Sequence, residues 1–280
     1  FAKEVQVGWI MQVSNAFGQV QGAMSYFVDA YTTIAQWCSV VRRLDGFNRH
    51  VSEALDLKSD LMIDNASNIK VGIENVDVFL PNKNKDVLIK NCTIDLMKYQ
   101  SLLIMGASGV GKSTLLRTLA GLWPYAKGNV YLPKEEEFLF LPQRPYLPLG
   151  SLRQAISYPV VEEVISEKYS DEEIKEILIA CKLENLVDKL DIVDDWSRIL
   201  SLGEQQRIAF ARILLYKPKF VFLDEATSAL DETLEGNLYD MLKTYLPDTR
   251  IISIAHRSSF ICKHQAILKL KEKGCWEIHE

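Results

Sequence analysis

The run Gly-Ala-Ser-Gly-Val-Gly-Lys-Ser at residues 106–113 constrains this chain more than any other feature. It satisfies the pattern Gly-x-x-x-x-Gly-Lys-Ser/Thr at every fixed position. The apolar run Leu102–Met105 predicts a strand before it, and Thr114–Leu122 predicts a helix after it. Glycines let backbone N–H groups turn toward phosphate oxygens, and the helix N-terminus adds positive partial charge. The segment therefore predicts a phosphate-binding loop, and its full context disfavours a chance glycine-rich turn.

Individual residues of this loop have expected roles at a bound nucleotide. We expect Lys112 to reach the β- and γ-phosphates and the Ser113 hydroxyl to ligate Mg²⁺. The other candidate phosphate contacts are Gly106, Ser108, Gly109, Gly111 and Thr114.

A second candidate element is an apolar run that ends in two carboxylates, Phe-Val-Phe-Leu-Asp-Glu at residues 220–225. Asp224 falls at the C-terminal end of the predicted strand, where open α/β sheets place ligands. We expect Asp224 to hold Mg²⁺, directly or through water, and Glu225 to act as general base on the attacking water. For this pair taken alone, a solvated strand end is the alternative.

From about residue 69, short β-like runs alternate with longer helical stretches. Such alternation predicts an α/β domain with a largely parallel sheet. Residues from about 144 to 215 have a mostly helical pattern and predict a block inserted between strands. Within it, Ser170 and Glu173 have the spacing of a capping box that opens a helix. The predicted strands are Val71–Phe79, Val87–Ile89, Leu102–Met105, Phe138–Leu141, Phe220–Leu223 and Ile251–Ile254.

The N-terminal segment differs in composition from the rest of the chain, because residues 5–28 contain no charged side chain. A helix of that length spans about 36 Å, enough to cross a bilayer core. Polar side chains interrupt the run, and in a spanning helix they are expected to face protein or water rather than lipid. Arg42, Arg43 and Arg49 follow, which by the positive-inside rule puts the far end in the cytoplasm. An amphipathic helix packed on the main domain is the alternative.

Charge and cysteine content narrow the class of protein further. The chain has 32 basic and 37 acidic residues, a net charge of −5, so no basic surplus favours a nucleic-acid partner. The five cysteines are scattered without a Cys-x-x-Cys pair. This pattern favours reduced thiols that face the cytosol.

Further elements resemble the motifs of ABC transporter ATP-binding domains. The run Leu-Ser-Leu-Gly-Glu-Gln-Gln-Arg at residues 200–207 resembles the family signature. By that resemblance Ser201, Gly203 and Glu204 are candidate nucleotide contacts. Gln143, which follows a predicted strand, resembles the Q-loop glutamine.

Two more motifs follow in the order of this family. Asp231, in Ser-Ala-Leu-Asp at residues 228–231, resembles the D-loop aspartate, and His256 resembles the switch histidine. The resemblance covers about residues 69–260, and it identifies the chain as a member of the family.

The resemblance implies a P-loop NTPase (RecA-like) core with an inserted helical subdomain and an antiparallel β edge. It also implies a composite site, in which Mg-ATP on one chain is closed over by Ser201 and Gly203 of a second chain, in a homodimer. Glu225 would polarise water, His256 would hold the γ-phosphate, and Gln143 would sense Mg²⁺ and the membrane domain.

Other residues are similar to one branch, the peroxisomal-type (subfamily D) half transporters and their bacterial relatives. They are the Leu-Ser-Leu-Gly-Glu variant, Asp195-Trp196 and Gln19-Val20-Gln21. The branch implies that residues 1–60 are the last transmembrane helix of a membrane domain and its linker, about Tyr31–Leu57. Residues 61–280 would be the ATP-binding domain, facing the cytoplasm from a bacterial inner membrane, or from an organellar membrane in a eukaryote.

Some positions depart from the usual family pattern. Leu202 replaces a signature glycine, and Glu204 replaces the signature glutamine. The aromatic residue that usually stacks on adenine falls near Leu80, beside Phe79, which puts adenine stacking and strict preference for ATP over GTP in doubt.

Two alternatives come from other functional classes, a soluble ABC-type ATPase and a regulatory ATP-binding module. The sequence contains no long coiled coil or basic surface that would favour the first. The presence of Glu225 and His256 speaks against the second. The branch suggests acyl-CoA, cobalamin or peptide-like cargo and does not choose among them.

Overall fold

The computed structural model describes residues 7–55, 60–64, 70–81, 86–134, 137–160, 164–165, 168–255 and 258–280. The chain forms two compact units, residues 1–58 and residues 59–280.

The described part of the N-terminal unit is one helix, α1 (Val7–Leu55), which contains 49 residues and extends over about 74 Å. The helix continues through the segment predicted to be the linker, as far as Leu55. The reason is that residues 7–55 contain no proline to interrupt the backbone hydrogen bonds. Large apolar side chains of α1, among them Trp9 and Phe27, are exposed. Within the described residues, no helix combines the length and the apolarity that a membrane span requires.

The C-terminal unit contains strands and helices in alternation, as predicted. The strands are β1 (Asp60–Asp64), β2 (Gly72–Phe79), β3 (Val87–Asp95), β4 (Ser101–Gly106), β5 (Ala126–Tyr131), β6 (Phe138–Leu141), β7 (Gly150–Ser151), β8 (Val193–Asp194), β9 (Phe220–Asp224), β10 (Arg250–Ile254), β11 (Ala266–Leu270) and β12 (Trp276–His279). The helices are α2 (Lys112–Leu119), α3 (Leu152–Ser157), α4 (Asp171–Ala180), α5 (Trp196–Ile199), α6 (Leu202–Tyr216) and α7 (Glu232–Tyr245).

A six-stranded sheet, in the order β12-β11-β4-β10-β9-β6, forms the centre of the described part of this unit. Strand β10 pairs in parallel with both β4 and β9, so that Ile252 lies opposite Leu102 and Phe222. Only β12 is antiparallel to its neighbour in this sheet. The predicted parallel α/β core with an antiparallel edge is therefore confirmed. In this arrangement β4, β9 and β6 end at the same edge of the sheet.

The two faces of this sheet belong to two hydrophobic cores, because successive side chains of a strand point to opposite sides. Leu102 and Ile104 of β4 lie in one core, which also contains α2 and the second sheet, β1-β5-β2-β3. Leu103 lies in the other core, with the buried side chains of α4, α6 and α7. The sheet is thereby covered on both faces, which is the usual state of a parallel sheet.

The block predicted as mostly helical contains α3, α4, α5 and α6, together with the two-stranded β7–β8 pair. Helix α4 begins where predicted, since the Ser170 hydroxyl accepts a hydrogen bond from the Glu173 N–H at 3.1 Å. Helix α2 begins two residues before the predicted start, because Gly111 serves as its N-cap.

Burial separates the cysteines into reactive and protected classes. Cys92 and Cys181 are buried, and burial raises the pKa of each thiol to about 12, whereas Cys275 is exposed. The nucleophilic thiolate fraction of each buried cysteine therefore falls about tenfold for each pH unit below that value. We expect iodoacetamide at pH 8 to modify Cys275 in the folded protein and to modify Cys92 and Cys181 only after denaturation. Peptide mass spectrometry checks this, and equal rates for Cys181 and Cys275 in the folded protein would contradict it.

Candidate nucleotide site

Backbone geometry leaves the loop between β4 and α2 open to a phosphate group. Gly106 has φ 157°, and a Cβ atom there would lie 2.7 Å from the Leu270 carbonyl oxygen. Gly111 has φ 102° at the N-cap of α2, in the left-handed region that favours glycine. Ser108 and Gly109 form the exposed tip of the loop. Lack of space at Gly106 and the positive φ at Gly111 therefore explain why these two positions of the pattern are glycines.

The Lys112 ammonium group folds back over the loop. Its Nζ donates hydrogen bonds to the carbonyl oxygens of Gly106 at 3.0 Å and Ala107 at 2.9 Å, and the residue is only 6% exposed. A buried ammonium requires hydrogen-bond partners, which the two carbonyl groups supply. A fixed positive charge at this position can pair with phosphate oxygens.

Ser113 and Asp224 meet, although they come from different strand ends. The Ser113 hydroxyl donates to Asp224 Oδ1 at 2.6 Å, and Asp224 is 3% exposed. The Arg117 guanidinium lies 3.3 Å from Oδ2 of the same carboxylate. Sequence reasoning missed Arg117, although its spacing of four residues from Ser113 puts both on one face of α2. A hydroxyl and a carboxylate are hard oxygen ligands, so this pair fits Mg²⁺.

Glu225 and Gln143 form a second polar pair at the same edge of the sheet. Glu225 has φ 53°, which is uncommon for a residue other than glycine and occurs where the surrounding structure holds the backbone. Gln143 Nε2 donates to Glu225 Oε2 at 3.2 Å. The predicted base and the predicted Q-loop glutamine are therefore in direct contact.

The signature residues form the N-terminus of α6. The Ser201 hydroxyl accepts from the Glu204 N–H at 3.3 Å, and Glu204 Oε2 accepts from the Ser201 N–H at 3.0 Å, which together form a capping box. The Ser201 hydroxyl also donates to Glu204 Oε2 at 2.7 Å. The Ser201 hydrogen bond lowers the pKa of the Glu204 carboxyl, although partial burial opposes this. Glutamate at the position of the signature glutamine therefore still caps the N-terminus of α6. Gly203 follows Ser201 in the first turn and packs near the Ala229 carbonyl group.

Three further predicted site residues are Asp231, Thr114 and His256. The Asp231 carboxylate caps α7 by accepting from the Leu234 N–H at 2.8 Å. Thr114 lies half-buried in the first turn of α2. His256 lies outside the described residues.

A cleft beside the phosphate loop offers a place for a nucleotide base. It is lined by Val87 and Leu88 of β3, by the loop itself, and by Lys271, Glu272 and Gly274 of the β11–β12 turn. Neither β3 residue is aromatic, and Leu80 is 38% exposed. The lining therefore offers apolar packing to a base rather than ring stacking.

A P-loop, a Ser–Asp pair and a Glu–Gln pair at one sheet edge define a nucleotide-binding α/β domain. Comparison with known families assigns its lineage: residues 89–228 match the ABC transporter family, and residues 1–52 match the SbmA/BacA-like family. The chain therefore belongs to the ABC transporter family and contains its ATP-binding domain, the ATPase of such proteins.

Curated relatives agree with this assignment. An ABC transporter ATP-binding protein of Haemophilus influenzae, itself uncharacterized, is 49% identical over 191 residues, which is 68% of this chain and 31% of the relative. The chloroplastic ABC transporter D family member 2 of Arabidopsis thaliana is 34% identical over 337 residues, which is 96% of this chain and 47% of the relative. The chain thus spans about a third to a half of the length of these relatives.

A solved structure supports the fold. It is a bacterial Atm1-family ABC exporter with ATP bound, with a TM-score of 0.59 and 24% identity. The match covers 71% of this chain and 37% of the exporter chain.

The position of Lys112 predicts a loss of nucleotide affinity on its removal. We expect Lys112→Ala to weaken ATP binding by about 10-fold or more, because a charge-assisted contact to phosphate is lost. Fluorescent-nucleotide titration measures this. Lys127→Ala, at an exposed position of β5, is the matched control and is expected to bind like the parent chain. Equal affinity in the two variants would contradict the assignment of Lys112.

Proposed function

We propose that this chain is the nucleotide-hydrolysing part of a subfamily D-type ABC transporter, and that it couples Mg-ATP hydrolysis at a dimer interface to solute movement across a membrane. The observation that carries the proposal is the meeting of three groups at one sheet edge: Lys112 over the phosphate loop, Ser113 against Asp224, and Gln143 against Glu225. Together they offer phosphate binding, a metal position and a general base.

Phosphate binding falls to the backbone N–H groups of the loop, to the α2 N-terminus and to Lys112. Ser113 and Asp224 would hold Mg²⁺, which when bound supplies charge neutralisation at the β- and γ-phosphates. Asp231 and His256 stay predicted contacts of the closed site. Positioning and charge neutralisation supply most of the acceleration in phosphoryl transfer.

Glu225 performs the proton transfer in this proposal. Its carboxylate accepts a proton from the attacking water while the water oxygen bonds to the γ-phosphorus and the bond to the bridging oxygen breaks, so that ADP and phosphate leave. Gln143 holds the Glu225 carboxylate through its 3.2 Å hydrogen bond. The unusual φ of Glu225 supports a fixed direction for this group.

The second half of each site comes from another ATP-binding domain. The N-terminus of α6, with Ser201 and Gly203, would present backbone N–H groups and partial positive charge to the γ-phosphate bound by the other copy. Ser201 is exposed, which supports its availability to a partner. We propose a homodimer, since each chain carries both halves.

The N-terminal unit is proposed to belong to a membrane domain. Its support is the match of residues 1–52 to the SbmA/BacA-like family and the exposed apolar side chains of α1. On this proposal the helix lies at a bacterial inner membrane, and the ATP-binding domain faces the cytoplasm. One relative is the human lysosomal cobalamin transporter, 39% identical over 216 residues, and cobalamin stays one of three cargo classes to be tested beside acyl-CoA and peptides.

Replacing the base tests the proposed hydrolysis. The parent chain is expected to release phosphate from ATP with Mg²⁺ and to stop when EDTA removes the metal. Glu225→Gln is expected to lower kcat by about 100-fold or more, because the general base is lost, while ATP affinity stays within about twofold. The matched control is Glu172→Gln, an exposed glutamate in the first turn of α4. Turnover of Glu225→Gln equal to that of the control would refute the role of Glu225.

A further inference from the structure

We propose that Gln206 is a positioning residue, which ties the Gln143 loop and the loop 228–231 to helix α6 and thereby sets the direction of the Glu225 carboxylate. The inference rests on the proposed hydrolysis and names a residue that its mechanism does not use.

The Gln206 side chain is fully buried, at 0% exposure, and both ends of its amide are engaged. Its Nε2 donates to the Gln143 carbonyl oxygen at 3.0 Å and to Ser228 Oγ at 3.2 Å. Its Oε1 accepts from the Ala229 N–H at 3.0 Å. The reversed amide would set its oxygen against the Gln143 carbonyl and its NH₂ against the Ala229 N–H. One orientation alone therefore satisfies all three partners.

Packing alone does not explain a glutamine at this position. The buried residues that follow on α6 are Ile208, Ala209 and Phe210, which fill the core without polar atoms. A buried amide gains little net stability from hydrogen bonds that replace those with water. A fully satisfied buried network does, however, specify one geometry of the groups that it joins. Gln206 therefore fixes the relative positions of the Gln143 loop and the loop 228–231 at the sheet edge that holds Glu225.

Both loops lead directly to Glu225. Gln143, whose carbonyl oxygen Gln206 holds, donates through its own side chain to Glu225 Oε2. Ser228, whose hydroxyl Gln206 also holds, donates its backbone N–H to the Glu225 carbonyl oxygen at 3.0 Å. Gln206 is thus one residue removed from both the side chain and the backbone of the proposed base.

The same helix begins at the signature. Ser201 caps α6, and Gln206 lies in the second turn of that helix. Further along α6, the buried Arg212 donates to the Tyr146 carbonyl oxygen at 2.7 Å. This is a second hydrogen bond from α6 to the Gln143 loop, in addition to that of Gln206. If a nucleotide bound to the other copy displaces the α6 N-terminus, Gln206 would therefore move with the helix and shift Gln143 and Glu225.

Hydrolysis by the full chain tests this role. Gln206→Met keeps the size of the side chain and removes its donors and its acceptor. We expect kcat to fall by about 10- to 100-fold, since misplaced catalytic groups lose that much, while KM for Mg-ATP stays within about twofold. The matched control is Gln100→Leu, because the Gln100 side-chain amide also donates to two partners, the carbonyl oxygens of Pro247 and Thr249, but at the opposite edge of the sheet. Rates are normalised to the folded fraction measured by circular dichroism.

Two further measurements separate positioning from stability. In a double-mutant cycle, Gln206→Met combined with Gln143→Ala is expected to lose no more activity than the more damaging single variant, because both act on Glu225. Gln206→Glu is expected to recover activity relative to the parent as pH falls, because burial raises the pKa of the introduced carboxyl and its protonated form donates again.

The outcomes are distinct. Full kcat in Gln206→Met, or additive losses in the cycle, would overturn the role of Gln206 while leaving the proposed function intact. If Gln206→Met does not fold, a flat pH ratio for Gln206→Glu would overturn it instead. An inactive parent chain would contradict the proposed hydrolysis itself.

Discussion

The hydrogen bond between Ser113 and Asp224 joins the two halves of the site within one chain. Ser113 follows the phosphate loop after β4, and Asp224 ends β9, with β10 between these strands in the sheet. Because parallel strands end at a common edge, residues that lie more than a hundred positions apart in sequence meet there. The register of β4, β10 and β9 therefore determines whether a phosphate position and a metal position coincide.

A second layer of contacts connects this edge to the helical block. Gln143 contacts Glu225, and Gln206 and Arg212 of α6 donate to the carbonyl oxygens of Gln143 and Tyr146 in the Gln143 loop. The partners are mostly backbone carbonyl groups, whose positions depend on the fold rather than on side-chain rotamers. Chemistry at the sheet edge and movement of α6 are thus linked by a small number of buried hydrogen bonds.

The sequence predicts the parts of this protein whose signal is local. The phosphate loop follows from residue types at fixed spacing, and each predicted strand run overlaps an observed strand of the sheets. Strands β1, β5, β7, β8, β11 and β12 were not predicted, because strands of two to six residues contain too few positions to establish a period. The contacts of Arg117 and Gln206 depend on long-range pairing, which local patterns do not encode. The C-terminal end of α1 at Leu55 was also not predicted. The predicted helix is drawn from the uncharged residues 5–28, and the absence of proline beyond them is a weaker signal than the charges that begin there.

The most direct test of the account is a structure of the Glu225→Gln dimer trapped with Mg-ATP. The account predicts that Ser201 of one copy lies within hydrogen-bond distance of the γ-phosphate held over Lys112 of the other. A nucleotide-bound dimer in which Ser201 lies far from every γ-phosphate would contradict the composite site, and with it the proposed coupling of hydrolysis to transport.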